Sequence, residues 1–192
     1  MKTTLLALAL VFLSTLTAAD EPEAVLDTSG NRLDNNRRYY ILSATDCSCN
    51  ETGIALAVLG NKKCPFDVYV QCEAQKFYIM PSNYFQTNDV QVSTFVNIVH
   101  SATRCEPVHW VNLWKVDQND PDTGKAFVTT EGTVDKPLPR GNQGFKIEKY
   151  GSNYKIVYSD TQCRDIGIYF DKEGNRRLVL GDVPYPVKFQ KV

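Results

Sequence analysis

His100 and His109 are the only two histidines in the chain, and neither stands in a nucleophile motif such as Gly-x-Ser-x-Gly. The carboxylates are scattered over turn-forming stretches, with no spacing that sets a pair across a cleft for acid–base work. The chain therefore reads as a protein that is not an enzyme. Six cysteines, Cys47, Cys49, Cys64, Cys72, Cys105 and Cys163, could ligate a metal or pair as disulfides. Structural zinc uses other ligand spacings than Cys47-Ser48-Cys49, and two histidines add little, so neither a metal nor another cofactor is expected. What remains is chemistry by contact. Residues 81–89 read Pro-Ser-Asn-Tyr-Phe-Gln-Thr-Asn-Asp, a run of turn formers that should be an exposed loop. Its middle carries Tyr84 and Phe85, two large side chains with no evident core to enter, which marks the loop as a contact surface.

The elements that must hold this loop are strands. Of 192 residues, the first nineteen have the form of a secretory signal peptide: Met1-Lys2, an apolar run over 5–13, and the small-residue end Thr17-Ala18-Ala19. The apolar run is too short to span a membrane. Residues 20–192 are one domain's length, long enough to bury a core. With 21 basic and 22 acidic residues and no block of like charge, the chain presents no footprint for nucleic acid or membrane. Disulfides are the default for cysteines in a secreted chain, and Asn50-Glu51-Thr52, its single glycosylation sequon, lies in a polar break.

After an extended opening with a Gly-Asn turn over 25–33, short β-prone runs are expected at 38–43, 53–59, 66–71, 77–80, 90–99, 109–116, 125–130, 144–149, 154–158, 166–170, 177–180 and 187–192. No stretch keeps a helical period with caps. The pattern is that of an all-β barrel or sandwich. Trp110 and Trp114, four apart on one expected strand, share a face, and one of them belongs to the core. An echo narrows the fold. Gly60-Asn61-Lys62-Lys63 returns 114 residues later as Gly174-Asn175-Arg176-Arg177, and Tyr40-Ile41-Leu42 returns at the same offset within Tyr154-Lys155-Ile156-Val157. Half that offset is about the length of a four-strand unit, so three units would fill the mature chain as a twelve-stranded β-trefoil.

The order of several stretches resembles one family. Val25-Leu26-Asp27, Gly30-Asn31, Leu33 and Tyr39-Tyr40-Ile41-Leu42 are similar to the opening of the plant Kunitz, or soybean trypsin inhibitor, family. Lys63-Cys64-Pro65, Ser93-Thr94, Val96-Asn97-Ile98, Cys105, Trp110, Phe145-Lys146-Ile147-Glu148-Lys149, Cys163-Arg164-Asp165-Ile166-Gly167 and Val187-Lys188-Phe189-Gln190-Lys191 follow in the family's order. The resemblance covers essentially the whole mature chain.

It implies a β-trefoil and a disulfide between Cys64 and Cys105. The family's second disulfide would join Cys163 to a cysteine where this chain has Tyr158-Ser159, so Cys163 has lost its usual partner. Of the other cysteines, a hairpin across 60–63 places Cys72 opposite the chain near Gly53, which favours Cys49–Cys72 and leaves Cys47–Cys163 as a further possibility.

The resemblance also implies a function: a secreted inhibitor, extracellular or vacuolar, acting as a monomer. It would block an endopeptidase, a serine protease before a cysteine or aspartic one, through a substrate-like loop of Pro81, Ser82, Asn83, Tyr84 and Phe85 braced from within by the amide of Asn35. Asn83 falls at the position that fills the protease's specificity pocket. A trypsin-like pocket demands Lys or Arg there, so strong trypsin inhibition is not expected. The alternative is a miraculin-like binding, storage or defence protein on the same scaffold, without inhibition.

Overall fold

A computed structural model describes residues 22–45, 49, 51–60, 64, 67–82, 87–101, 113–132 and 144–192. The expected signal peptide, Cys47, the sequon Asn50, Asn83, Tyr84, Phe85, Cys105, His109 and Trp110 lie outside the described residues.

Among these residues the chain is all-β, with twelve strands and no helix. They are β1 Arg38–Ser43, β2 Gly53–Ala57, β3 Asp67–Gln71, β4 Lys76–Pro81, β5 Phe95–His100 and β6 Leu113–Val116, followed by β7 Val128–Gly132, β8 Gly144–Tyr150, β9 Asn153–Ser159, β10 Cys163–Phe170, β11 Arg176–Gly181 and β12 Val187–Lys191. Every pairing is antiparallel. Six strands close a ring in the order β1, β4, β5, β8, β9, β12 and back to β1. The other six form hairpins, β2 with β3, β6 with β7 and β10 with β11, joined to one another where β3 pairs with both β7 and β11.

Strand periodicity explains the core. Successive side chains of a strand point to opposite faces, so residues two apart share one. Each ring strand sends such a pair inward: Tyr39 and Ile41, Phe77 and Ile79, Val96 and Ile98, Phe145 and Ile147, Tyr154 and Ile156, Val187 and Phe189. The hairpins cover one end of the ring with Ile54, Leu56, Val68, Val70, Trp114, Val128, Ile166, Leu178 and Leu180. Trp114 is thus a core residue.

The echo has a structural counterpart. Gly60 and Gly174 both turn their hairpins at positive φ, 64° and 82°, a conformation that a Cβ strains. Gly53 and Gly167 share the same offset and the same constraint, because a Cβ would meet the Ile41 carbonyl oxygen at 2.5 Å in the first case and that of Val183 at 2.3 Å in the second. Both are places where a hairpin strand lies against neighbouring backbone.

Cys49 and Cys72 form a disulfide with Cα atoms 5.6 Å apart, just outside the register that sets Gly53 opposite Gln71. Cys64 is also disulfide-bonded. Its expected partner, Cys105, is not among the described residues. Cys163 is an exposed free thiol, which corrects the Cys47–Cys163 possibility. The reason is visible across the strand pair, where Cys163 faces Ser159 at the place the family resemblance reserves for a cysteine. Replacing Cys49 and Cys72 together with serine should lower stability by about 3 kcal/mol for a loop of this length. Urea titration reads this as a lower midpoint, and an unshifted midpoint would mean that the crosslink adds nothing to this hairpin.

Candidate functional site

Strand β4 carries the chain from the hairpin end of the ring, where Gln75 N–H donates to the Ile54 carbonyl at 2.9 Å, to the loop at the opposite end. Pro81 closes it, buried and opposite Val96. A proline is tolerated here because β4 has already left β1 after Tyr78, and since Ser82 N–H faces β5, the Pro81 nitrogen faces the side with no strand to bond. Ser82 makes the final link, its N–H donating to the Phe95 carbonyl at 2.8 Å. The ascending limb of the loop is therefore an extension of the barrel wall.

The descending limb, residues 87–92, is held differently. The 90–99 run was expected as one strand, but β5 begins only at Phe95. Ser93 lies between, with φ of 62°, an uncommon value for a residue with a side chain. Its N–H donates to the Ile147 carbonyl at 2.9 Å and its hydroxyl to Glu148 Oε2 at 2.6 Å, so β8 fixes this kink. Upstream of the kink the limb pairs with the N-terminal segment. Val25 N–H donates to the Val90 carbonyl at 2.9 Å and Val90 N–H to the Leu33 carbonyl at 3.0 Å. Val92 N–H reaches the Glu23 carbonyl at 2.8 Å. Nearest the loop, Asn35 N–H donates to the Asn88 carbonyl at 3.0 Å, and Arg32 Nη1 lies 3.0 Å from Asp89 Oδ2.

The N-terminal segment is itself a closed hairpin. Leu26 pairs with Arg32, and Asp27 Oδ1 accepts the N–H groups of Ser29 and Asn31 at 2.8 and 2.9 Å. These are the bonds an aspartate makes when it organises a tight turn. Behind it the Tyr39 hydroxyl accepts the Asp34 N–H at 2.9 Å. Burial, aided by the nearby carboxylates of Asp34 and Asp27, raises the Tyr39 phenol above its ordinary pKa, which keeps it neutral.

The structure thus brings Pro81, Ser82 and Asn35 to one loop base. Asn35 meets the descending limb through its backbone, whereas the resemblance assigns bracing to its side chain. The side-chain oxygen is buried and has no hydrogen-bond partner among the described residues. Arg32, Asp89 and the Val25, Leu33, Val90 contact were not foreseen. Alternation does not mark 25–33 as a strand, and no local pattern links stretches 57 residues apart in sequence.

A second concavity, about 480 Å³, opens among the hairpins and is lined by Asp67, Asp120, Asp171 and Arg177 among others. Asp67, Asp120 and Asp171 are committed to structure. Hydrogen bonds from Thr123, then Asp122, hold the Asp120 carboxyl below its ordinary pKa. Asp171 organises the turn before β11 by accepting the Asn175 N–H at 2.7 Å, and Asp67 pairs with Arg177 at 2.8 Å. No group of three or more histidine, cysteine or carboxylate side chains among the described residues is arranged to hold a metal.

A family model described as trypsin and protease inhibitor, of the legume Kunitz type, matches residues 25–191. Miraculin of Synsepalum dulcificum is 35% identical, over 98% of this chain and 96% of its own. Kunitz trypsin inhibitor 5 of Arabidopsis thaliana is 32% identical, over 92% of this chain and 89% of its own. Among solved structures, soybean trypsin inhibitor in complex with porcine pancreatic trypsin superposes with a TM-score of 0.72 at 28% identity, covering 88% of this chain and 99% of that one.

Proposed function

Since the chain belongs to the plant Kunitz family of trypsin and protease inhibitors, we propose that it blocks an endopeptidase by presenting residues 81–85 as a substrate-like loop. The observation that carries this reading is the two-sided anchoring of the loop base, with Ser82 bonded to β5 and Asn88 and Asp89 bonded to the N-terminal hairpin. A loop held at both ends loses little conformational entropy on docking, and its cut ends stay together, which separates an inhibitor from a substrate. The six-strand ring and three hairpins support a β-trefoil, and the shared glycine positions of the first and last four strands support its division into three units.

In this reading the signal peptide ends after Ala19, the mature chain is secreted as a monomer, and Asn50 carries a glycan. A serine protease is the favoured target, with Asn83 in the specificity pocket. A register shifted by one or two residues would instead insert Tyr84 or Phe85, which fit a hydrophobic slot. The second reading, a binding or storage protein without inhibition, is favoured by the missing cation at position 83 and by the similarity to miraculin.

A panel of trypsin, chymotrypsin, subtilisin, a papain-like protease and pepsin, titrated with the purified chain, separates the two. Inhibition of at least one at submicromolar concentration, with trypsin among the weakest, is the expected outcome. If every protease remains active at micromolar inhibitor, the binding or storage reading replaces this one.

A further inference from the structure

We propose that the N-terminal hairpin, residues 24–35, is a latch that keeps the chain following the loop in place even when the loop has been cut. The purpose of the latch rests on the inhibitor reading; its geometry does not. A cut between Ser82 and Thr87 would leave two ends. The upstream end is β4, a barrel strand paired on both sides, with β1 and β5. The downstream end is the limb 87–92, whose main-chain bonds run to the hairpin, Asn88 to Asn35 and Val90 to Val25 and Leu33, and to the residue just before it, Val92 to Glu23. Ahead of the Ser93 kink, which β8 holds, that contact is what keeps the limb in place.

Apolar packing dominates the latch. Val25, Leu33 and Val90 are each 0% exposed, so the limb and hairpin share a sealed patch of core. The Arg32–Asp89 pair, with side chains 63% and 39% exposed, sits at the outer edge toward the loop and contributes less, as exposed ion pairs do. The hairpin is in turn fixed to the barrel, because Leu26 N–H donates to the Tyr154 hydroxyl, Thr28 N–H to the Phe189 carbonyl, and Lys149 pairs with Glu23 at 2.9 Å.

The chemistry this serves is reversible hydrolysis. Cutting the loop adds the hydroxyl of water to the acyl carbon and its proton to the departing amine. The reverse step expels that water, and it competes only if the amine stays beside the carbonyl. The latch makes Val25, Leu33 and Val90 positioning residues for the limb that follows that amine.

The test compares Val25→Ala with Val70→Ala, an equally conservative truncation of a residue 3% exposed in the β2–β3 hairpin away from the loop. Cutting of each chain by subtilisin between residues 82 and 87 is followed by intact mass, alongside global melting and amide hydrogen exchange at Val90. Val25→Ala should raise the cutting rate about ten-fold and speed exchange at Val90 by a similar factor, through local opening. Val70→Ala should lower the melting temperature without either effect. For any protease the parent chain inhibits, Val25→Ala should also move the equilibrium from intact toward cut loop. Should Val25→Ala not fold, Arg32→Ala should raise cutting about three-fold, with Arg32→Lys restoring the parent rate. Equal cutting in Val25→Ala and Val70→Ala, or no change in either, overturns the latch. The protease panel decides the inhibitor reading separately: a silent panel with a ten-fold response here retains the latch and removes its purpose.

Discussion

Asn83→Arg should convert the chain into a trypsin inhibitor. The effect is electrostatic. The trypsin pocket ends in a carboxylate, and an asparagine leaves that buried charge without a cation. Failing to pair a charge in an interface costs about 2–5 kcal/mol, roughly thirty-fold to several-thousand-fold in affinity. Arginine restores the pair and adds a planar fork that bonds a carboxylate twice. The gain appears only if the loop already has a substrate-like shape, since a disordered segment bearing arginine would be digested. The two-sided anchoring at Ser82 and Asn88 is the reason to expect inhibition instead. The measurement is the inhibition constant of the folded variant against trypsin, together with the fraction of loop still intact after prolonged incubation. Trypsin that ignores this variant, or consumes it, would show that the scaffold no longer performs the family's mechanism.

The largest expected loss of stability lies at the other end of the barrel. Arg177 Nη2 is 2.8 Å from Asp67 Oδ1, with side chains 18% and 1% exposed, and the guanidinium lies 3.6 Å above the Phe127 ring. Phe127 in turn packs edge-on against Tyr169. Arg177→Ala removes the cation from beside a buried carboxylate and leaves a gap under the ring, so a loss of about 3–5 kcal/mol is expected. In a domain of this size that corresponds to a melting temperature roughly ten degrees lower or more. The double variant Asp67→Asn with Arg177→Met should recover much of it, because the solvation penalty of both ions disappears together. A double variant that loses as much as the two single changes summed would show that the pair is not coupled.

What could be read from the sequence was what strands encode locally. The runs at 144–149 and 187–192 match β8 and β12 almost residue for residue, since each alternates apolar and polar positions between turns. Cys49–Cys72 was legible because a hairpin across Gly60 fixes which residues face each other. Errors arose where a side chain or an unusual backbone angle overrode β propensity. The expected strand at 90–99 is divided by Ser93, and the one at 125–130 starts late, at Val128, because Asp120 organises 120–124 into a turn and Phe127 bridges to Val179 instead. The site was half legible. Pro81 and Asn35 could be carried over from the resemblance, but the docking of residues 24–35 on 87–92 is a contact between two irregular segments, and no periodicity announces such a contact.

The closed ring also sets a timetable. One edge of β1 finds β2 and β4 within a few dozen residues, but its other edge is covered by β12, with Tyr39 opposite Lys191. At translation rates of roughly 5–20 residues per second, one edge of β1 waits on the order of ten to thirty seconds for the strand that covers it. Until then its N–H and C=O groups are open to pairing with another chain, a hazard that the finished barrel no longer has. Closure of the ring therefore waits on β12, Val187–Lys191, which pairs with both β1 and β9. A chain that stops short of that strand would retain its hairpins and lack the closure that makes them one molecule.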